Sequence, residues 1–243
     1  MVLFILALII SFVPCVALFL WLRNLHKQDG TDFRKLCNKT FGFGMLSVLP
    51  IIILSLASNL ILNISGLYDI SPLLYEAIYT FVVLALVEEL TKFAVFRLIL
   101  KKTTGYQFSW LDVTALMTVV GLGFDVIESI AYGIGASIPV VLVRGICIPH
   151  AGYGFITGYF YGKGLKSGKA SDRWTGFFLA FFIHGLYDFS LSPEFVALNE
   201  NLFFVAMLLA LLDILLVIML VVFCRKAKKN EMYTAPLIAQ SQK

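Results

Sequence analysis

Seven apolar runs, each close to twenty residues long, dominate this chain and limit what it can fold into. A helix of about 20 apolar residues crosses the hydrocarbon core of a bilayer, which is about 30 Å thick. Hydrophobic residues make up 60% of the sequence and charged residues 14%, against about 25% charged residues in soluble domains. We therefore predict an all-α, polytopic integral membrane protein of one domain, residues 1–243, with about seven transmembrane helices. The segments are 2–22, 41–62, 74–100, 112–136, 138–162, 174–192 and 201–224.

The basic residues between these runs and at their ends predict the orientation of the chain. If all seven segments span, 17 of the 19 Lys and Arg residues fall on one side, and loops rich in Lys and Arg stay in the cytoplasm. We therefore predict an N-terminus outside and a cytoplasmic tail at about 225–243. The net charge of +4 reflects this bias, so we expect the lipid bilayer as a partner and no nucleic acid. The loop residues are Arg23, Lys27, Arg34, Lys35, Lys39, Arg97, Lys101, Lys102, Lys163, Lys166, Lys169, Arg173, Arg225, Lys226, Lys228, Lys229 and Lys243.

Ionisable residues lie inside four of the apolar runs, at similar depth. A charged side chain at the centre of a spanning helix costs at least ~2.5 kcal/mol, so such a residue indicates a functional site. At 1.5 Å per residue, Glu89 lies about 18 Å from Lys101, and His150 lies about 20 Å from Lys163. One layer of the membrane therefore collects these groups. They are Glu88, Glu89, Asp125, Glu128, His150, His184 and Asp188.

Spacing within each helix predicts contacts between some of these groups, because residues three or four apart share a face. Asp188 follows His184 by four residues, so its carboxylate can orient the imidazole. Lys92 follows Glu88 by four, which predicts an ion pair that leaves Glu89, turned 100° away, facing a cavity. Asp125 and Glu128 are three residues apart, so they also share one helix face.

Two further features of residues 138–162 predict how this helix packs. Pro149 should kink the helix beside His150. Gly154 and Gly158 begin a small-residue stripe that lets another helix approach closely.

Around the buried ionisable residues, from Glu88 to Asp188, the chain resembles the PrsW-type intramembrane proteases, within the superfamily that includes the CAAX and bacteriocin-processing proteases. The match covers residues 88–188, and Ser129 stands where the family usually has Asn. This motif core lies within 74–192, a transmembrane protease-like region. The matching motifs are Glu88-Glu89-Leu90-Thr91-Lys92 for EExxK, Gly121 to Glu128 for GxGFxxxE with Phe124 and Asp125 inside it, Arg144 followed by Pro149-His150-Ala151, and His184 to Asp188 for HxxxD.

The resemblance implies an intramembrane endopeptidase with a glutamate-type mechanism. In that reading Glu89 is the general base that takes a proton from water, and Glu88 is its electrostatic partner. His184, oriented by Asp188, and His150 would stabilise the oxyanion or protonate the leaving amine, while Glu128 completes the water site. Lys92, Phe124, Asp125 and Arg144 support these groups.

The sequence leaves alternatives for the cofactor and for the substrate. His150, His184, Glu89 and Glu128 could hold Zn²⁺ with an open water position, but no HExxH occurs and the metal-free site is favoured. The resemblance implies a membrane-protein substrate, for example a single-pass anti-sigma factor, and in a bacterium a location in the plasma membrane. Two other classes also bury carboxylates in the membrane: a proton- or ion-coupled transporter and a non-catalytic membrane scaffold of the same fold.

Overall fold

The computed structural model describes residues 2–26, 31–135 and 137–237. Within these residues the chain is helical and forms no strand, apart from an isolated bridge between Ser109 and Pro236. The prediction of an all-α protein is confirmed. Lys27 and Lys243, which contributed to the predicted orientation, lie outside the described residues, as does position 136 at the end of one predicted segment.

The described residues form thirteen α-helices, together with a π-helical segment, Tyr79–Leu86, and one 3₁₀ turn, Glu200–Leu202. The α-helices are α1 Val2–Arg23, α2 Thr31–Leu46, α3 Val48–Ile64, α4 Leu67–Ile70, α5 Pro72–Ile78, α6 Val87–Lys102, α7 Trp110–Gly135, α8 Ile138–Cys147, α9 Pro149–Ser167, α10 Ala170–Ser190, α11 Pro193–Val196, α12 Phe203–Ala227 and α13 Glu231–Thr234.

Four helical stretches within the described residues are long and apolar enough to cross a bilayer: Asp32–Ile64, Trp110–Gly133, Ile138–Ser167 and Phe203–Ala227. A shorter apolar helix, Ile9–Arg23, accompanies them. The chain is therefore an integral membrane protein by its helices. The count of seven spans and the orientation of the termini stay predictions.

The predicted segment 138–162 is not one kinked helix, because α8 ends at Cys147 and α9 starts at Pro149. Proline has no backbone N–H and disfavours helical geometry in the residue before it. Ile148 accordingly adopts a left-handed conformation, with φ 38° and ψ 60°. The break makes His150 the second residue of a new helix.

Two other predicted segments are also divided. The run 41–62 is shared by α2 and α3, which meet at Ser47, where the hydroxyl donates to the Gly44 carbonyl at 2.6 Å. The run 74–100 begins as α5, widens into the π-helical segment and continues as α6. Such π-helical insertions occur frequently at functional sites, and this one ends immediately before Val87 and the glutamate pair.

Helix α7 lies at the centre of the protein and packs most extensively against α9 and α2, while α9 also contacts α10 and α12. Glycine permits the α7–α9 approach: a Cβ on Gly154 would lie 2.7 Å from the Met117 carbonyl oxygen, and one on Gly121 would overlap the backbone of His150. The predicted close packing at Gly154 is confirmed. It holds the start of α9 directly against the middle of α7.

Candidate active site

Helices α6, α7, α8, α9 and α10 bring all ten residues predicted for the site into one cluster inside the bundle. The most deeply buried side chains are those of Lys92 and His150, each 1% exposed, and Glu89, 2% exposed. The cluster consists of Glu88, Glu89 and Lys92 from α6, Phe124, Asp125 and Glu128 from α7, Arg144 from α8, His150 from α9, and His184 and Asp188 from α10.

Contacts to one carboxylate oxygen fix the position of the Glu89 side chain. Its Oε1 lies 2.7 Å from Lys92 Nζ and 3.0 Å from His184 Nδ1. His150 Nδ1 is farther away, at 3.7 Å. Two short, charge-assisted contacts hold this carboxylate in place.

Glu88 is the less constrained of the two glutamates. Its Oε2 lies 3.8 Å from His184 Nε2 and 3.9 Å from His150 Nε2, and it has no hydrogen-bond partner among the described residues. The predicted ion pair of Glu88 with Lys92 is the longer one, at 3.7 Å. The glutamate that pairs most closely with Lys92 is therefore Glu89 and not Glu88 as expected. Both are within reach, because residues three and four along a helix share one face, and the lysine turns towards His150.

His150 has a defined partner at each ring nitrogen. Lys92 Nζ lies 2.7 Å from Nδ1, and Glu128 Oε2 lies 2.7 Å from Nε2. A lysine ammonium can only donate, so Nδ1 accepts from Lys92 and Nε2 carries the hydrogen donated to Glu128. Phe124 packs against His150 and against its lysine partner, since its ring meets the imidazole edge-on at 4.6 Å and lies 4.3 Å from Lys92 Nζ.

Arg144 and Asp125 hold the surroundings of His150. The Arg144 guanidinium pairs with Glu128 and covers the ring of Tyr132 at 3.9 Å. Asp125 Oδ2 accepts from the backbone N–H of Ala151 at 3.2 Å. The same N–H also donates to the Ile148 carbonyl at 3.1 Å, so Asp125 adds a second acceptor at the start of α9, where Ile148 offers no side-chain cap.

His184 lies between two carboxylates. Its Nδ1 is 3.0 Å from Glu89 Oε1 and its Nε2 is 3.2 Å from Asp188 Oδ2. The predicted contact with Asp188, one turn along α10, is confirmed. A doubly protonated ring satisfies both contacts at once.

Two residues beside the cluster were missed by the sequence reasoning. The Tyr153 ring stacks on His184 at 5.1 Å with an interplanar angle of 21°. Its hydroxyl donates to Asp213 Oδ2 in α12 at 3.4 Å, and Asp213 is fully buried. Asp213 could have been identified from the sequence, because it is the one charged residue in the run 201–224. Tyr153 could not, since aromatic residues are frequent in apolar helices and nothing in the sequence distinguishes this one.

Two groups of side chains within the described residues could hold a metal ion, with ligand atoms all within 4.8 Å of one another. One consists of Glu88, His150 and His184, and the other of Asp125, Glu128 and His150. The first group differs from the zinc set expected from the sequence, in that Glu88 replaces Glu89 and Glu128.

Comparison with known proteins supplies a family for this arrangement. Residues 34–224 match the model of the PrsW-protease family, described as PrsW family intramembrane metalloprotease. The chain is 30% identical to Protease PrsW of Oceanobacillus iheyensis over 158 residues, which is 63% of this chain and 69% of the relative. It is 28% identical to Protease PrsW of Geobacillus kaustophilus over 188 residues, 74% of this chain and 77% of the relative. No solved structure shows a significant match.

Proposed function

The chain belongs to the PrsW family of intramembrane proteases, and from this premise we propose that it hydrolyses a peptide bond of a membrane protein at the Glu/His cluster. One observation supports the proposal most directly. Glu88 Oε2 is buried without a hydrogen-bond partner among the described residues, yet lies within 3.9 Å of the Nε2 atoms of both His150 and His184. A buried acceptor that the fold leaves unpaired is available to water or substrate.

Glu88 is the general base in this proposal. A base needs a free lone pair within hydrogen-bond reach of the proton it removes, and Glu88 Oε2 has one. Glu89 lacks this freedom, because Lys92 and His184 hold its Oε1 at 2.7 and 3.0 Å. The contacts therefore support Glu88 in the role first assigned to Glu89, with Glu89 as the group that orients Lys92 and His184.

The reaction proceeds by addition and collapse. Glu88 takes a proton from water as the water oxygen bonds to the scissile carbonyl carbon, and the carbonyl oxygen gains negative charge. Donors aimed at that charge stabilise it, and the Nε2–H groups of the two imidazoles, which face Glu128 and Asp188 before substrate binds, are the ring donors nearest to Glu88. His184 then passes its Nε2 proton to the amide nitrogen as the carbon–nitrogen bond breaks, while Glu89 holds the ring at Nδ1. Glu88 returns the proton that it took from water to His184 Nε2, 3.8 Å away, and so restores both groups.

His150 and Glu128 form the second half of the site. The Lys92 contact at 2.7 Å directs the His150 N–H towards Glu128, which also pairs with Arg144. Glu128 is thereby kept as an acceptor that fixes the His150 ring. Asp125 holds the backbone beside that ring and takes no part in proton transfer.

The family description names a metalloprotease, and the donor set fits a zinc ion. Two ligand atoms on a tetrahedral zinc lie roughly 3.4 Å apart, close to the 3.8 and 3.9 Å that separate Glu88 Oε2 from the two Nε2 atoms. Glu88, His150 and His184 would hold the ion, which when bound would lower the pKa of a water ligand.

We favour the metal-free, glutamate-type site because both Nε2 atoms already have partners. His150 Nε2 faces Glu128 at 2.7 Å, and His184 Nε2 faces Asp188 at 3.2 Å. Zinc ligation requires a free lone pair on each of these nitrogens. Both histidines would have to give up these contacts to bind it.

The substrate in this proposal is a membrane protein, with a single-pass anti-sigma factor as the example that the family resemblance supplies. The buried site supports such a substrate, because a chain reaching it has to enter between membrane helices. The family match favours a protease over an ion-coupled transporter. The scaffold alternative finds no support, since none of the motif carboxylates or histidines is lost.

Comparison of membrane-protein fragments tests the proposal in cells that express the wild-type chain, Glu88→Gln, or the matched control Glu76→Gln. Glu76 lies in α5, outside the cluster, so the control makes the same chemical change elsewhere. We expect the same new fragments with the wild type and the control, and none with Glu88→Gln. Fragments that persist in Glu88→Gln at wild-type level would overturn the assignment of the base.

A further inference from the structure

Helix α12 carries one charged residue in its apolar run, and that residue points inward. Asp213 is 0% exposed, although most of α12 presents large apolar side chains such as Leu208 and Leu215 to the surroundings. Its Oδ2 accepts from Tyr153, while Oδ1 has no hydrogen-bond partner within the part of the chain that the structure describes. A carboxyl group that is buried in a membrane helix at such cost is expected to have a function.

We infer that Asp213 and Tyr153 form a positioning pair that holds the His184 ring in its working orientation. Both residues lie outside the four motifs, and the inference rests on the proposed function of the cluster. Asp213 acts only through Tyr153, and the two metal-capable groups found among the described residues do not include it.

Tyr153 forms a wall against both histidines. Its ring, 1% exposed, stacks on His184 at 5.1 Å and meets His150 edge-on at 5.6 Å with an interplanar angle of 85°. The two imidazoles in turn lie 4.9 Å apart at 80°. The orientation of the tyrosine ring therefore limits the tilt of both imidazoles.

The carboxylate contacts of His184 leave this tilt undetermined. Glu89 and Asp188 lie at the two ring nitrogens and restrain the imidazole along the line that joins them. Rotation about that line moves the ring faces, and Tyr153 is the side chain stacked on one face. A hydrogen bond to the tyrosine hydroxyl holds the long axis of the ring and so keeps the ring against this face of His184.

Helix α12 supplies the anchor because it packs closely on α9. A Cβ on Gly152 would lie 3.1 Å from the Leu216 side chain and 3.6 Å from the Asp213 carbonyl oxygen. The residue next to this contact is Tyr153, whose hydroxyl lies 3.4 Å from Asp213 Oδ2. The same packing that docks α12 therefore brings the carboxyl group to the tyrosine.

The test uses the full chain, reconstituted in lipid, in five forms: wild type, Asp213→Asn, Asp213→Leu, Tyr153→Phe and the double variant Tyr153→Phe/Asp213→Leu. Tyr161→Phe is the matched control, a buried tyrosine eight residues along α9 that packs on Phe93 and Phe96. Turnover of a peptide that spans an identified cleavage site gives kcat and KM. Nitrogen-15 NMR of labelled histidine reports the His184 ring without any need for catalysis.

We expect Asp213→Leu and Tyr153→Phe each to lower kcat by roughly 10- to 100-fold with KM unchanged, as misplacement of a reacting group does. The double variant should be no worse than either single variant, because one contact is lost in all three. Asp213→Asn should stay close to wild type, since the amide oxygen still accepts from the tyrosine. The His184 signal should shift in Asp213→Leu and Tyr153→Phe and stay unchanged in the control.

Several outcomes would overturn the inference. Wild-type kcat and an unshifted His184 signal in Tyr153→Phe would do so, even if Asp213→Leu failed to fold. Losses that add in the double variant would mean that the two residues act separately. An Asp213→Asn protein as impaired as Asp213→Leu would mean that the carboxyl proton itself is needed. If the wild type cleaves nothing, the proposed function fails, while the His184 signal still decides whether the pair positions the ring.

Discussion

Within the described residues, two clusters pair a histidine with a carboxylate, and they differ in how completely their polar atoms are hydrogen-bonded. The second cluster lies where the end of α1 meets the start of α7. There His26 Nε2 contacts Asp112 Oδ1 at 2.6 Å, and Asp112 Oδ2 accepts from both the backbone N–H and the hydroxyl of Ser109, at 2.9 and 2.8 Å. Ser109 Oγ accepts in return from the Asp112 N–H at 3.1 Å.

This second cluster is a capping box at the start of α7, in which the cap residue and the third helical residue satisfy each other's N–H groups. Burial and the Asp112 carboxylate raise the pKa of the neighbouring Tyr106 phenol. His26 rests edge-on against Phe33 at 4.8 Å. Every oxygen of Asp112 has a partner, so none is available to a substrate.

The site cluster differs, because Glu88 Oε2 has no hydrogen-bond partner within the described structure while three ionisable side chains, those of Lys92, His150 and His184, lie within 3.9 Å of it. The same residue types therefore serve stability in one region and, by our proposal, chemistry in the other. The unsatisfied buried acceptor marks the difference. The following predictions test this contrast between Glu88 and Asp112.

The largest effect is expected for Glu88→Gln. The amide keeps the shape of the side chain and cannot take a proton, so kcat should fall by roughly 10²- to 10⁴-fold with little change in thermal unfolding. Turnover and differential scanning fluorimetry of the purified protein measure the two quantities. If the Glu88→Gln protein unfolds at a lower temperature but keeps wild-type turnover per folded molecule, Glu88 has a structural role like that of Asp112.

The topology prediction concerns the two ends of the bundle. Cysteine replacing Asp69 should react with an impermeant thiol reagent in intact cells, whereas cysteine replacing the exposed Lys35, near the His26 end, should react only after permeabilisation. The four native cysteines are buried, so they give little background labelling. Labelling of Lys35→Cys in intact cells would put the His26 end outside.

Asp112→Ala should have the opposite profile to Glu88→Gln. Loss of the helix cap and of the His26 contact should lower the free energy of unfolding by about 1–3 kcal/mol, while kcat per folded molecule stays at the wild-type value. Thermal unfolding alongside turnover provides the measurement. A large loss of kcat without a loss of stability would show that the contrast between the clusters is wrong.

Metal removal should produce the smallest effect. In the metal-free proposal, protein purified in detergent contains far less than one zinc per chain, and a strong chelator leaves kcat unchanged. Elemental analysis and turnover after dialysis against chelator measure this. One zinc per chain that is lost in His184→Ala, together with activity restored by zinc, would establish the metal form with Glu88, His150 and His184 as ligands.

Much of the site could be predicted because helix periodicity acts within a single element. The spacing of His184 and Asp188 predicted their contact correctly, and the common depth of the buried ionisable residues predicted that their helices would converge. The spacing of Glu88 and Lys92 correctly predicted an ion pair, at 3.7 Å. It did not predict that Lys92 lies closer to Glu89, at 2.7 Å, because that preference depends on a histidine from another helix. Asp213 lies in no motif, and its partner Tyr153 is 60 residues away in the sequence.

The sequence by itself determined a helical membrane protein, the helix face on which each ionisable residue lies, and the family to which the chain belongs. The first two properties follow from local composition and from the 3.6-residue period of a helix, whereas the family follows from four motifs in order and from the match to known proteins. Only the tertiary structure decided which glutamate is held and which is free, and what supports His184. These depend on the rotation and docking of one helix against another, which close packing at residues such as Gly121 and Gly154 sets and no local pattern records.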